Sequence, residues 1–87
     1  MPAFLARVYV SLKPTVNDPQ GLTIADGLRS LGFDSVESVR AGKYIEIRLT
    51  AEGSTSAGNQ VDSMSDKLLA NPIIETYRYD IEELVEA

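Results

Sequence analysis

The fold is decided by the stretch Ser35–Thr50, which reads SVESVRAGKYIEIRLT. Ile45, Ile47 and Leu49 alternate with polar residues, and this period of two is typical of a strand with one buried face. Gly42 precedes the alternation and permits backbone angles that a residue with a Cβ resists. We therefore predict a strand here, and we expect the two halves of the chain to fold against it as the centre of the sheet.

The segment before this strand is less regular and leaves two arrangements open. Val36 and Val39 have opposite parity, so a strand through both needs a bulge or a bend. In the first arrangement, residues 35–40 and 43–50 form a hairpin that turns at Ala41-Gly42. In the second, a single long strand bends at Gly42.

Two further strands are predicted near the ends of the chain. The first spans Phe4–Lys13, where the residues of one parity are all apolar, and Pro14 ends it because proline cannot donate to the ladder. The last spans Ile73–Ile81, and the acidic tail 82–87 either extends it or adds a terminal turn.

Two amphipathic helices separate the strands. Asp18 is placed to cap the first helix and Pro19 to occupy its first turn, and Gly32 is the expected stop. The second helix is expected to begin with a cap within Ser54–Ser56 and to stop at Asn71-Pro72. Its apolar positions follow a helical spacing: Val61, Met64, Leu68 and Leu69.

These elements give the order β-α-β-(β)-α-β in a single domain, residues 1–87. The predicted class is α+β: a two-layer sandwich of a largely antiparallel sheet with two helices on one face. The other face of the sheet then mixes aromatic and charged side chains, which is typical of a surface that meets another protein. Its predicted members are Leu5, Arg7, Tyr9, Tyr44, Glu46 and Arg48.

Composition excludes several kinds of chemistry. The 87 residues include no cysteine and no histidine, so disulfides, thiolate catalysis, Cys/His zinc sites and Ser-His-Asp triads are excluded. Acidic residues outnumber basic ones 13 to 8, which disfavours nucleic acid as a partner. The sequence shows no signal peptide and no apolar run of about 20 residues, so we expect a cytoplasmic protein without a membrane span.

Few groups in the sequence are candidates for chemistry. Arg40-Ala41-Gly42-Lys43 is a phosphate or carboxylate clamp, a solvated turn, or a turn that docks on a partner protein. The acidic residues Glu82, Glu83 and Glu86 are interpreted as solvated end charges rather than a metal site. The four tyrosines serve either as binding-face anchors or as packing at the edge of the core: Tyr9, Tyr44, Tyr77 and Tyr79.

Four strings, taken in this order and spacing, resemble the PurS family, the small subunit of phosphoribosylformylglycinamidine (FGAM) synthase. The strings are Val8–Lys13, Asp18–Gly21, Val39–Glu46 and Lys67–Tyr77. The resemblance covers nearly the whole chain. It implies a role in purine biosynthesis as a subunit without an active site or cofactor of its own.

The resemblance also implies partners. In this family a glutaminase subunit releases ammonia from glutamine, and a large synthetase subunit uses ATP and magnesium to convert formylglycinamide ribonucleotide into the amidine. The small subunit is expected to hold the two together, to support ammonia transfer, and to be a dimer or tetramer. The strings that fall at exposed turns are the expected subunit contacts: Asp18, Pro19, Gln20, Gly21, Arg40, Gly42, Lys43, Tyr44, Tyr77 and Arg78.

A different class of function remains open from the residues alone. A small α+β regulatory domain that binds an amino acid or a nucleotide would have the same element order. Such a domain needs a glycine-rich loop at a helix start, and Gln20-Gly21 offers only a poor one.

Overall fold

The computed structural model describes residues 1–85 and contains three strands and two helices. The strands are β1 (Ala3–Leu12), β2 (Gly42–Thr50) and β3 (Glu75–Leu84). The helices are α1 (Pro19–Ser30) and α2 (Ser54–Met64), and α2 continues into a π-helical turn, Ser65–Leu69. The final strand begins at Glu75 rather than at Ile73, and the acidic tail extends it to Leu84, which is one of the two predicted outcomes for the tail.

The three strands form one antiparallel sheet in the order β2-β1-β3. The prediction that the Ser35–Thr50 strand is central is therefore wrong, since β1 pairs with both neighbours and β2 lies at an edge. The physical reason is visible in the burial of β1, where Phe4, Ala6 and Val8 are fully buried. In β2 the inward-facing isoleucines are only partly buried.

Residues 35–41 form neither the hairpin nor the bent strand, and both of those predictions are wrong. The β2 ladder begins at Gly42, which lies opposite Ser11, and residues 36–41 are an irregular segment that leads back along α1. A Cβ at Gly42 would collide with the carbonyl oxygen of Val10. Glycine is thus required at the first rung for close approach of the two backbones, not for a turn.

The inner face of the sheet carries the core. Val8, Val10 and Val61 are its larger fully buried or nearly fully buried members, and Ala57 of α2 packs near Phe4 at the other end. α2 lies over β1 and β3. This arrangement confirms the α+β class and the antiparallel sheet covered on one face by a helix.

The second helix departs from its predicted pattern at both ends. Its N-cap is Gly53, which has an extended backbone and no side chain that could cap the helix, rather than a residue within Ser54–Ser56. At its other end the amide of Ala70 donates to the carbonyl of Ser65, five residues earlier, at 2.9 Å. Residues inside this wider turn are rotated relative to a continued α-helix, so Leu68 is 83% exposed although an α-helical spacing places it inward.

The first helix begins and ends as predicted. The Asp18 carboxylate caps it by accepting from the amide of Gly21 at 2.9 Å, and Pro19 occupies the first turn. Gly32 has a φ of +99°, and the Leu28 carbonyl accepts from the amide of Phe33 at 3.1 Å, which completes a left-handed cap. In contrast to α2, however, α1 makes at most marginal contact with the strands and with α2.

Candidate subunit interface

The outer face of the sheet is open and combines aromatic and charged side chains, as the alternation in the sequence predicts. Side chains of β1 alternate between the buried inner face and this outer face, so Arg7 and Tyr9 point away from the core. The pairing of the strands sets three rows across it: Arg48-Leu5-Glu82, Glu46-Arg7-Asp80 and Tyr44-Tyr9-Arg78.

The third row is a stacked cluster. The rings of Tyr9 and Tyr44 have centroids 5.2 Å apart and are tilted by 38°. On the opposite side, the guanidinium carbon of Arg78 lies 4.0 Å from the centroid of the Tyr9 ring, within cation–π range. Tyr44 is 53% exposed, so the cluster offers preformed aromatic and arginine surface of the kind that dominates protein interfaces.

The second row is ionic. Arg7 donates to Asp80 at 3.1 Å and to Glu82 at 2.5 Å, and these two bonds raise the pKa of the guanidinium, the Glu82 bond most. The two carboxylates fix the orientation of Arg7 on the outer face. The Tyr44 hydroxyl donates to Glu46 at 2.7 Å, and this bond is the main cause of the raised pKa of Tyr44.

A second group of predicted residues meets at the root of α1. The Oδ1 atom of Asp18 accepts from the amide of Gly21 at 2.9 Å, and Oδ2 accepts from the amide of Ala41 at 2.7 Å. These two bonds, the Gly21 bond first, lower the pKa of Asp18, and the residue as a whole is 4% exposed. Arg40 closes the root by donating to the carbonyl of Lys13 at 2.9 Å.

The close contacts at this root explain why Gly21 is a glycine. A Cβ there would collide with the carbonyl oxygen of Val39 and would lie 2.8 Å from Oδ2 of Asp18. Pro19 and Gln20, which complete this predicted string, are both exposed at the start of the helix. The Asp18–Gly21 string thus has a structural role, and two of its four members remain available to a partner.

The Arg40–Lys43 turn does not form a converging clamp. Arg40 is directed to the carbonyl of Lys13, whereas the Nζ atom of Lys43 lies 3.3 Å from the carbonyl oxygen of Leu69 and 4.0 Å from a carboxylate oxygen of Glu75. The two cations therefore serve two different places on the molecule. This geometry does not favour the phosphate or carboxylate clamp among the three interpretations of the turn.

The predicted pair Tyr77 and Arg78 is divided between the two faces of β3. Tyr77 lies on the inner face, where its hydroxyl donates to Oδ1 of Asp62 at 2.9 Å and has a raised pKa, chiefly because of that bond. Arg78 lies on the outer face with Tyr9. The ten predicted residues thus lie in four places: the α1 root, the start of β2, the inner face of β3 at Tyr77, and the outer face.

Sequence reasoning missed part of the outer face. Asp80 and Glu82 belong to it through their bonds to Arg7, but Glu82 was interpreted only as a solvated end charge. The parity of β3 already placed Asp80 with Arg78, and continuing that parity by one step would have found Glu82. Glu83 is exposed on β3, and Glu86 lies outside the described residues.

Neither a metal-binding cluster nor a membrane-spanning helix is found within residues 1–85. In that range, no three His, Cys, Asp or Glu side chains come together in a way that could hold a metal ion. None of the helices there has the length and apolarity that crossing a membrane requires.

The geometry agrees with comparisons to known proteins. The model of the PurS family, described as phosphoribosylformylglycinamidine (FGAM) synthase, matches residues 5–83. The FGAM synthase subunit PurS of Synechocystis sp. is 46% identical over 82 residues, which cover 94% of this chain and 82% of the relative.

Two solved structures have the same fold. Methanocaldococcus jannaschii PurS, described as one of the subunits of formylglycinamide ribonucleotide amidotransferase in the purine biosynthetic pathway, has a TM-score of 0.85 and 36% identity, covering 94% of this chain and 99% of that one. A chain in the structure of PurLQS from Thermotoga maritima has a TM-score of 0.82 and 34% identity, covering 97% and 100%. This chain belongs to the PurS family, whose members are subunits of FGAM synthase.

Proposed function

We propose that this chain is a non-catalytic subunit of FGAM synthase that holds the glutaminase and synthetase subunits of the enzyme together. The chemistry of the complex is then divided: the glutaminase releases ammonia, and the synthetase uses ATP and magnesium to form the amidine. This chain needs no cofactor of its own for such a role. A similar chain occurs in the PurLQS structure of T. maritima, which supports an assignment to a complex of this kind.

The observation that carries the proposal is the outer face of the sheet. It presents the Tyr9, Tyr44 and Arg78 cluster beside the Arg7 ion pairs, on a face that α2 does not cover. Tyrosine and arginine are enriched among the residues that contribute most binding energy at interfaces. Because the cluster is already ordered by contacts within the sheet, little conformational freedom is lost when a partner binds.

The same assembly would support the transfer of ammonia from the glutaminase to the synthetase. If this chain fixes the glutaminase against the synthetase, ammonia released at one site reaches the other without equilibrating with bulk solvent. The predicted contacts at the α1 root and at the β2 start, including Gln20, Arg40 and Lys43, lie away from the outer face. Two separate contact regions on one small chain are what a bridging subunit requires.

The regulatory-domain alternative needs a ligand pocket. The groove at the α1 root encloses about 160 Å³, below the roughly 300–1,000 Å³ typical of small-molecule sites. Two of its charged side chains are already engaged: Arg29 donates to the carbonyls of Val36 and Glu37 at 3.1 and 2.8 Å, and both oxygens of Asp18 accept amides. The groove therefore favours a structural contact over an amino-acid or nucleotide site.

The test is reconstitution of the synthase from its separate subunits. We expect glutamine-dependent formation of the amidine to fall at least tenfold when this chain is left out. Activity supported by added ammonium salt should persist, because the synthetase itself is intact. Full glutamine-dependent activity without this chain would refute the proposal.

A variant on the outer face locates the contact. Arg78→Glu removes the guanidinium above Tyr9 and is expected to weaken co-elution with the larger subunits. Lys67→Glu makes the same charge change on the exposed π-helical turn and serves as the matched control. Equal retention of both variants in the complex would exclude the outer face as the docking surface.

Charge reversal also tests the turn at Arg40 and Lys43. Joint reversal of Arg40 and Lys43 to Glu is expected to weaken the complex. Because Arg40 also closes the α1 root, circular dichroism must first show that the variant is folded. A folded variant that co-elutes normally with both larger subunits would remove this turn from the interface.

A further inference from the structure

The aromatic stack on the outer face is open at one end. Arg78, Tyr9 and Tyr44 lie side by side on β3, β1 and β2, so the Tyr9 ring contacts the Arg78 guanidinium on one side and the Tyr44 ring on the other. Within residues 1–85, no strand pairs with the far edge of β2. The Tyr44 ring therefore packs against Tyr9 on one side, and 53% of the residue remains exposed at the edge of the sheet.

Beside this exposed ring lies a carboxylate that has no ion-pair partner. Oε2 of Glu46 accepts from the Tyr44 hydroxyl at 2.7 Å. Arg7 is paired with Glu46 across the β1–β2 ladder, yet its guanidinium donates to Asp80 and Glu82 of β3 instead. No ion pair to Glu46 forms within residues 1–85. The β2 side of the outer face thus presents an unpaired carboxylate next to an exposed aromatic ring.

A guanidinium group fits an aromatic face beside a carboxylate. It is planar, so it stacks on a ring, and its fork of N–H donors matches the two oxygens of a carboxylate. The Tyr44 hydroxyl occupies only one oxygen of Glu46. A lysine ammonium is a strongly hydrated point charge and lacks the planar fork that makes both contacts together. The chemistry of this position therefore favours arginine.

The outer face already contains each half of such a contact. The guanidinium carbon of Arg78 lies 4.0 Å from the centroid of the Tyr9 ring, which is the stacking half. Arg7 donates to two carboxylates of β3, which is the ionic half. At the open position on β2, one guanidinium would make both contacts at once.

The arginines of this chain are already engaged. Each of the five has an interaction within the chain, so a second copy would have to break one of these interactions to supply a guanidinium. A different protein with an unengaged arginine needs no such exchange. The net charge of −5 also favours a cationic partner. The five are Arg7, Arg29, Arg40, Arg48 and Arg78.

We propose that Tyr44 and Glu46 form a receptor for an arginine side chain of a larger subunit of FGAM synthase. The receptor rests on the proposed function, because the larger subunits are partners only in that complex. It adds the chemistry of the contact, which is one guanidinium stacked on the Tyr44 ring and bonded to the Glu46 carboxylate. Exclusion of water by the docked subunit strengthens such a bond.

The first test removes the charge of the receptor. The chain is immobilised, and its dissociation constant for a mixture of the glutaminase and synthetase subunits is measured by interferometry. Glu46→Gln keeps the shape and still accepts from the Tyr44 hydroxyl, and it should raise the dissociation constant about tenfold. Glu83→Gln is the matched control: Glu83 is also exposed, but its pairing with Phe4 places it on the other face. This control should stay within about twofold of the native value.

The second test separates the aromatic face from apolar area. Tyr44→Phe keeps the ring and should bind within about twofold of the native chain, whereas Tyr44→Leu keeps apolar area without a ring and should bind about fivefold more weakly. Because Tyr44 is exposed on an edge strand, both circular dichroism spectra should match that of the native chain. Equal dissociation constants for the two variants would overturn the stacked guanidinium.

The third test identifies the arginine. A chain with p-benzoylphenylalanine in place of Tyr44 is irradiated in the complex, and the cross-linked peptide is sequenced by mass spectrometry. We expect a peptide of a larger subunit that contains arginine, and we expect Glu46→Arg to restore binding when that arginine is replaced by glutamate. A peptide without arginine, or one from a second copy of this chain, would overturn the receptor.

Failure of the receptor and failure of the proposed function give different results. If the synthase still requires this chain for glutamine-dependent activity but Glu46→Gln binds like Glu83→Gln, only the receptor is wrong. If the reconstituted enzyme is fully active without this chain, the role in FGAM synthase is wrong as well.

Discussion

The two helices of this chain have similar amphipathic patterns, but they differ in what covers their apolar surfaces. α2 buries Ala57 and Val61 against the sheet, whereas α1 buries only Gly21 and Ala25, leaves Leu22 58% exposed and only partly buries Leu28. An amphipathic stripe shows that a helix has an apolar surface to cover. It does not show whether the cover comes from the same molecule. The sheet with α2 and residues 14–41, which we call the arm, can therefore be tested as two parts with different kinds of stability.

The largest expected difference lies between two phenylalanines. Phe4 is fully buried beneath α2, and Phe4→Ala should lower the free energy of unfolding by about 3–5 kcal/mol, a large share of the total for a small domain. Phe33→Ala, in the arm, should cost less than about 1 kcal/mol at concentrations where the chain is monomeric. Urea denaturation followed by circular dichroism measures both. Comparable losses would show that the arm belongs to the core.

Two glycines of α1 should respond to alanine in opposite directions. Gly21→Ala brings a Cβ against the Val39 carbonyl at the root and should destabilise the arm by about 1–3 kcal/mol. Gly27→Ala meets nothing within 4 Å and should stabilise the helix by about 0.5–1 kcal/mol. Hydrogen exchange of the α1 amides reports each change locally. Effects of the same sign would contradict the close packing at the root.

Local signals in the sequence were sufficient for the strands and for the first helix. The alternation in β1 and β3 and the cap at Asp18-Pro19 depend on neighbouring residues, and the structure confirms them. The order of the strands was not predictable in this way, because the choice of β1 as the centre depends on burial across the whole sheet. The π-helical turn at Ser65 was also hidden, since its spacing mimics a continued helix up to Leu68.

In the candidate site, too, features set by neighbouring residues were predictable and features set by the tertiary fold were not. Parity along β1 and β2 identified Arg7, Tyr9 and Tyr44 as members of the outer face. The bond from Ala41 to Asp18 joins residues 23 apart, and the stack of Arg78 on Tyr9 joins residues from opposite ends of the chain. Such pairs depend on the tertiary fold, so residues first expected to contact partners include several that hold the arm.

The root of the arm should respond to pH in a way that the core does not. The folded pKa of Asp18 is below its ordinary value of 3.8, so its contribution to stability is present above about pH 4 and is lost as the pH falls through the folded pKa. Asp18→Asn cannot ionise, and its amide nitrogen cannot accept from Ala41. The variant should be less stable than the native chain at pH 7, and the difference should shrink as the pH falls from 5 to 2.

Thermal unfolding at several pH values measures this difference. Asp26→Asn is the matched control: Asp26 is also on α1, but its carboxylate lies 3.6 Å from a guanidinium nitrogen of Arg29 and is 81% exposed. Exposed ion pairs contribute little to stability, so this control should follow the native curve. An Asp18→Asn curve parallel to the native one would mean that the carboxylate does not hold the root.

The smallest expected effect is at the contact between α2 and β3. The Tyr77 hydroxyl donates to the Asp62 carboxylate at 2.9 Å, and Tyr77→Phe should cost about 0.5–1.5 kcal/mol near pH 7. Because the bond raises the pKa of Tyr77, its contribution is present below the ordinary value of 10.0 and declines as the pH rises through the folded pKa. A double-mutant cycle with Asp62→Ala isolates the bond. If the sheet and α2 form one cooperative unit, the interaction energy between Tyr77 and Asp62 should appear in global unfolding. If it appears only in hydrogen exchange of the α2 amides, the sheet and α2 unfold as two separate units.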